Sequence, residues 1–195
     1  MNKLDRLLAE VRACTLCAAH LPLGPRPVLR ASASARVLII GQAPGTKVHQ
    51  TGIPWNDRSG DRLREWLGLD RDTFYDQRRI AIVPMGFCYP GRDAHGGDLP
   101  PRPECAPTWH PKLLPLLPKI GLTLLVGQYA QRHYLGERRK ATVTETVSAW
   151  REYLPEHLAL PHPSWRNTAW LRKNSWFERT LVPELRRRVG ELLKS

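Results

Sequence analysis

The stretch Val37-Leu38-Ile39-Ile40-Gly41 leaves the backbone few choices. A short run of aliphatic and β-branched residues that halts at glycine reads as a buried strand opening into a loop. That loop, Gly41-Gln42-Ala43-Pro44-Gly45, pairs two residues that allow close backbone approach with a proline that fixes φ and removes one donor. Its remaining N–H groups can face a pocket. The chain continues through Thr46 to Gln50, where no helix is read, into Thr51-Gly52-Ile53-Pro54-Trp55. Asp57 or Ser59 then caps a helix from about Gly60 to Leu67, with Leu63, Trp66 and Leu67 on its apolar side. The start of that helix brings backbone donors and a favourable dipole toward any anion over the loop. An ordinary α/β connection without a site has the same pattern, so the loop alone does not decide function.

Ile80 to Val83, Leu122 to Val126 and Leu158 to Leu160 repeat the apolar-strand pattern. Helical spacing marks Lys3 to Ala13 through Leu4, Leu7, Leu8 and Val11, and it also marks Gln128 to Leu135, Thr144 to Trp150 and Ser175 to Leu193. A further helix begins near Cys105 and carries Trp109, Leu113 and Leu114, but Pro111, Pro115 and Pro118 must shorten or kink it. Leu69 to Arg79 is polar and is read as a connection. Strands alternating with helices predict a parallel sheet with right-handed crossovers. The expected fold is an α/β three-layer sandwich, α/β/α, with a central four-stranded parallel sheet in a single domain over residues 1–195. Sites in such sheets gather at the carboxyl ends of the strands. Residues 41–55, 84–105 and 162–167 follow the first, second and fourth strands, and the long loop over 92–104 suits a functional role.

Thirty Lys and Arg against eighteen Asp and Glu leave a formal charge of +12. Such an excess favours polyanionic partners through phosphate neutralisation. No apolar run approaches the roughly 18 residues that a membrane span needs. The opening segment reads as a charged helix and not as an export signal, which predicts a cytoplasmic monomer with no membrane partner.

The cysteines form a frame: Cys14-x2-Cys17 precedes the first strand and Cys88-x16-Cys105 follows the second. Four thiolates suit an iron-sulfur cluster or a zinc site, and two buried structural pairs are the plain alternative. At the end of the fourth strand stands His162-Pro163-Ser164-Trp165-Arg166-Asn167. A strand-end histidine is either a hydrogen-bonded structural residue or a donor aimed into the site.

Taken together, these segments resemble the uracil-DNA glycosylase superfamily. Gly41 to Gly45 followed by Gly52-Ile53-Pro54-Trp55 resembles motif A of its iron-sulfur branch, Gly-Glu-Ala-Pro-Gly followed by Gly-x-Pro-Phe. Gln50 to Pro54 and His162 to Asn167, in the place of motif B, are similar to the single-strand-selective monofunctional branch. The resemblance implies a monofunctional glycosylase that flips a deaminated base, most simply uracil, out of DNA and hydrolyses its glycosidic bond. It assigns Gln42 and His162 to catalysis; Gly41, Ala43, Trp55 and Pro84 to the base pocket; and Gly45, Ser164, Trp165, Arg166 and Asn167 to DNA. It also selects a [4Fe-4S] cluster on Cys14, Cys17, Cys88 and Cys105 over zinc, with a structural role. Two positions depart from the family pattern. Gln42 replaces a glutamate implicated in aiding the water, and Pro84 falls where an asparagine is expected to read the base edge. These departures motivate a rival, a non-catalytic lesion-binding protein on the same fold. Hydrolysis of a small nucleoside is a third reading, which the basic charge disfavours.

Overall fold

The computed structural model describes residues 2–194. Four parallel strands form its centre: β1 (Val37–Ile40), β2 (Ile80–Ile82), β3 (Leu122–Val126) and β4 (His157–Leu160), in the order β2-β1-β3-β4. Val37 pairs with Ile80 on one side and Leu122 on the other, and Val126 pairs with Leu160. Helices cover both sides of the sheet, so the strands are near-continuous apolar runs with Val37, Ile39, Ile40, Leu124 and Leu125 wholly buried. The chain leaves β1 toward β2 on one side and returns to β3 on the other. Strand order therefore reverses between β1 and β3, the place where open α/β sheets form their crevice.

The helices among the described residues are α1 (Lys3–Arg12), α2 (Thr46–Thr51), α3 (Arg58–Leu67), α4 (Arg71–Tyr75), α5 (Cys105–Leu113), α6 (Gln128–Leu135), α7 (Val143–Ser148), α8 (Thr168–Lys173) and α9 (Val182–Lys194). One apolar core runs through them, from Leu4, Leu7, Leu8 and Val11 of α1 to Leu185 and Val189 of α9. α3 packs on α9, with Leu63, Trp66 and Leu67 turned inward, and the edge of Trp66 meets Phe177 at 4.8 Å between ring centroids.

Several boundaries differ from the sequence reading, each for a local reason. Asp57, not Ser59, caps α3, its Oδ1 accepting the Gly60 N–H at 2.8 Å, so the helix begins at Arg58 and not at Gly60. α2 occupies the stretch where no helix was read, because in six residues only Val48 is buried and no periodicity can show. α4 lies within the polar connection of Leu69 to Arg79, capped by Asp70 accepting from the Thr73 N–H at 2.7 Å and anchored by buried Phe74. α8 adds a short helix after motif B that buries only Leu171. The helix expected from Ser175 is a π turn over Phe177–Leu181 that runs into α9. Pro111 is accommodated inside α5, and the three-residue 3₁₀ turn Leu114–Leu116 carries the chain past Pro115.

Candidate functional site

The site starts from a tight fit. A Cβ on Gly41, the first residue after β1, would lie 2.7 Å from Cζ2 of Trp55. Glycine is therefore needed for the indole to lie against the end of the strand. Trp55 itself has φ 56°, in the left-handed region that a bulky residue rarely adopts. The strain is held by its surroundings. Its carbonyl accepts from Arg64 Nη1 at 3.3 Å and from Tyr75 Oη at 3.2 Å, and Gly60 lies directly beneath it. Arg64, a buried cation, is in turn paired with Asp61. The turn thus aims the Trp55 indole across the crevice, where its ring centre lies 5.6 Å from that of His162 at an interplanar angle of 37°.

His162 is fixed from two directions. The Ser164 N–H donates to its Nδ1 at 3.2 Å, so the neutral ring carries its proton on Nε2. Asn167 Nδ2 donates to the His162 carbonyl at 2.7 Å. Burial holds the imidazole below its ordinary pKa, partly opposed by the charges of Asp57 and Asp98, and this favours the neutral donor form. At the end of β3, Gly127 has φ 85°, and a Cβ there would meet the His162 Cβ at 3.5 Å. Gly127 gives the chain a left-handed turn into α6 beside the histidine.

The loop after β2 closes the third side. The Met85 and Gly86 N–H groups donate to the carbonyls of Gly41 and Gln42, both at 2.9 Å, which ties motif A to that loop. The Gln42 side-chain nitrogen donates to the Leu99 carbonyl at 3.2 Å, leaving its amide oxygen as an acceptor. Pro84 presents no side-chain hydrogen bond, and its carbonyl accepts from His110 Nε2 at 3.0 Å. His110 Nδ1 takes the Tyr134 hydroxyl, and Phe87 stacks on the ring at 5.8 Å. This buried histidine, whose pKa burial pushes down to about 4, holds Pro84 at the cavity wall from behind. It lies in a proline-containing helix with no motif around it, so nothing along the chain singles it out.

These elements enclose a cavity of about 410 Å³. Of the residues assigned to catalysis, base and DNA, its walls include Gly41, Gln42, Ala43, Gly45, Trp55, Pro84, His162, Ser164, Trp165 and Arg166. Asn167 stands behind the wall, holding His162. Trp165 is 66% exposed, with the Arg166 guanidinium 5.5 Å from its ring centre. Arg166 also donates to the Gly96 carbonyl at 3.1 Å, joining two loops at the rim. Lys47, Arg58 and Arg92 add positive charge around the opening. Of the polar side chains near the two motifs that carry no assigned role, Asp57 and Asp98 line the cavity, Asp61 is paired with Arg64, and the His49 ring lies 6.0 Å from Tyr89.

All four cysteines are free thiols and line one second, smaller cavity together with Phe87, Arg102 and Trp109. The Phe87 N–H points at Cys105 Sγ at 3.3 Å, and the buried Trp109 indole N–H has no hydrogen-bond partner among the described residues. Burial, with the other three cysteines adding to it, pushes the Cys105 thiol up to about 12. Among the described residues, no three His, Cys, Asp or Glu side chains are set closely enough to hold a metal ion. The Phe87 N–H directed at Cys105 Sγ is a donor of the kind that a negatively charged, group-bound sulfur takes, and to that extent the four thiols suit such a group.

The comparison with known families agrees with this arrangement. A family model described as the uracil DNA glycosylase superfamily matches residues 30–186. The match takes in all four strands, motif A, the second cysteine pair and the His162 loop. With a parallel β2-β1-β3-β4 sheet gathering these loops at its carboxyl ends, the chain belongs to the uracil DNA glycosylase superfamily.

Proposed function

We propose that this protein is a monofunctional DNA glycosylase that flips a deaminated base, most simply uracil, and hydrolyses its glycosidic bond. The observation that carries the reading is the pair Trp55 and His162, facing each other in the cavity with the histidine proton on Nε2. Trp55 offers an apolar platform for a flipped base. His162 Nε2–H donates to a carbonyl oxygen of the departing base, where negative charge grows as the bond breaks. The Gln42 amide oxygen orients a water without taking its proton. The basic rim of Lys47, Arg58, Arg92 and Arg166 receives the phosphates, and exposed Trp165 fills the gap left in the stack.

The four cysteines are proposed to hold a [4Fe-4S] cluster, with zinc as the alternative. Cys14 and Cys17 follow α1, while Cys88 and Cys105 flank the loop over 92–104. When bound, the group supplies a cross-link between these segments and no chemistry on the base. A second reading, lesion binding without excision, is favoured by one feature: neither Gln42 nor Pro84 supplies the side-chain group expected at its place in the family pattern.

The test is release of abasic sites from labelled oligonucleotides carrying uracil, hypoxanthine or xanthine, run beside a gel shift on the same strands. Excision of at least one base without borohydride trapping of the protein supports a monofunctional glycosylase. Selective binding without release supports the second reading. Trapping on Lys47, the lysine at the cavity, would replace the monofunctional assignment with a Schiff-base mechanism.

A further inference from the structure

Hydrolysis at a sugar carbon needs a group that takes a proton from the attacking water, and an amide cannot do this. Gln42 is further committed through its nitrogen to the Leu99 carbonyl. Two carboxylates line the same cavity, and they are held differently. Asp98 lies on the exposed loop after β2, its side chain 46% exposed and paired with Arg92 at 3.6 Å. Asp57 is half-buried at the start of α3, where Oδ1 accepts the Gly60 N–H at 2.8 Å and Oδ2 has no hydrogen-bonding partner among the described residues. It stands two residues after Trp55, so the left-handed turn that aims the indole also carries the carboxylate to the cavity wall. Asp57 is the first of the two acidic residues whose charge acts on His162.

We propose that Asp57 is the water-activating carboxylate of this site, its Oδ2 taking a proton from a water that attacks the sugar carbon of a flipped nucleotide. The proposal rests on the excision reading above. In the step, the water oxygen bonds to the anomeric carbon as the carbon–nitrogen bond breaks, and the electron pair leaves on the base. His162 Nε2–H stabilises that anion and keeps its proton. The proton taken by Asp57 then passes to the released base, which restores the carboxylate. The other charged or titratable groups that line the cavity with Asp57 are Lys47 of α2, Arg58 of α3, Arg92 and Asp98 of the loop after β2, and His162 and Arg166 of the loop after β4.

The substitution Asp57→Asn separates chemistry from structure. Asparagine caps a helix as well as aspartate does, so the bond to the Gly60 N–H survives and the thermal midpoint is expected to stay near that of wild type. Single-turnover excision is expected to fall by roughly 100-fold or more, the range for loss of a positioned general base. Affinity for an oligonucleotide carrying a reduced abasic analogue should change only a few-fold. The wild-type rate should fall as the pH is lowered through protonation of a carboxylate, and Asp57→Asn should be flatter over the same range. Asp98→Asn is the comparison, with a loss smaller than that of Asp57→Asn. Wild-type rate and an unchanged acid limb in Asp57→Asn would overturn the assignment, as would an equal or larger loss in Asp98→Asn. If wild-type protein releases no base at all, the excision reading fails and takes this proposal with it. Excision that survives in Asp57→Asn removes this proposal alone.

Discussion

A Cβ on Gly60 would sit 1.7 Å from the carbonyl oxygen of Trp55. That carbonyl cannot swing away, because Arg64 and Tyr75 both donate to it. Gly60→Ala must therefore displace either the first turn of α3 or the Trp55 turn, and a destabilisation of roughly 1–3 kcal/mol or more is expected. Gly41→Ala makes a different clash. Its Cβ would meet the movable indole of Trp55 at 2.7 Å. Denaturant unfolding should show a smaller loss of stability for Gly41→Ala than for Gly60→Ala, while excision should suffer in both. Equal and negligible losses would mean that the Trp55 turn is not held as described.

His110 makes stability depend on pH. Its folded pKa of about 4 lies below the unfolded value of 6.5, so below pH 6.5 the unfolded chain binds a proton that the folded protein refuses. Its contribution is complete above pH 6.5, is lost as the pH falls toward 4, and flattens below that. The loss from this group is on the order of 3 kcal/mol, at about 1.4 kcal/mol per pKa unit. His162, His157 and His49 are shifted in the same direction and add slope of the same sign. Urea midpoints measured between pH 4 and 7 should fall on acidification, and less steeply in His110→Phe. An identical slope in the variant would remove His110 as a source.

The strands were legible in the sequence because a parallel sheet buried on both faces demands unbroken apolar runs, as in Val37 to Ile40. α2, α4 and α8 were not, since each buries a single side chain, Val48, Phe74 or Leu171, and one apolar residue has no period. The Asp70 cap three residues after the end of α3 was the available signal for α4. For the site, the glycines and His162 stood out as punctuation at strand ends. Groups that act through long-range packing did not. The hold of Arg64 and Tyr75 on the Trp55 carbonyl, the support of Pro84 by His110, and the choice between Asp57 and Asp98 all depend on which loops meet over the sheet. Spacing along the chain does not record that.

The cysteine frame makes its own prediction. Protein purified without oxygen is expected to be brown and to carry about four irons per chain, with Cys14→Ala or Cys105→Ala bleaching it. The cavity that these thiols line touches Phe87 and Trp109, so loss of the group should expose the Trp109 fluorophore and lower the melting temperature. Colourless protein with one zinc would replace the cluster by the alternative. Metal-free protein with unchanged stability would reduce the cysteines to buried thiols.

His162 and Gln42 separate the two halves of the chemistry. Removing the His162 donor leaves the leaving base unassisted, and His162→Ala should slow excision by roughly 100-fold or more with little change in DNA binding, the scale for one well-placed donor. Gln42→Ala should lower the rate by less, since the side chain orients water without taking its proton. Gln42→Glu is the sharper probe. A carboxylate cannot donate to the Leu99 carbonyl as the amide nitrogen does at 3.2 Å, so the new side chain is pushed off that oxygen and toward the cavity. Excision should then be maintained or raised. In an Asp57→Asn background the added glutamate should restore part of the lost rate, because a base has been returned to the same cavity. Failure of that rescue, with Gln42→Glu active alone, would mean that Asp57 and position 42 address different waters. Silence of both wild type and Gln42→Glu on every deaminated base would instead favour a protein that holds the lesion without cutting it.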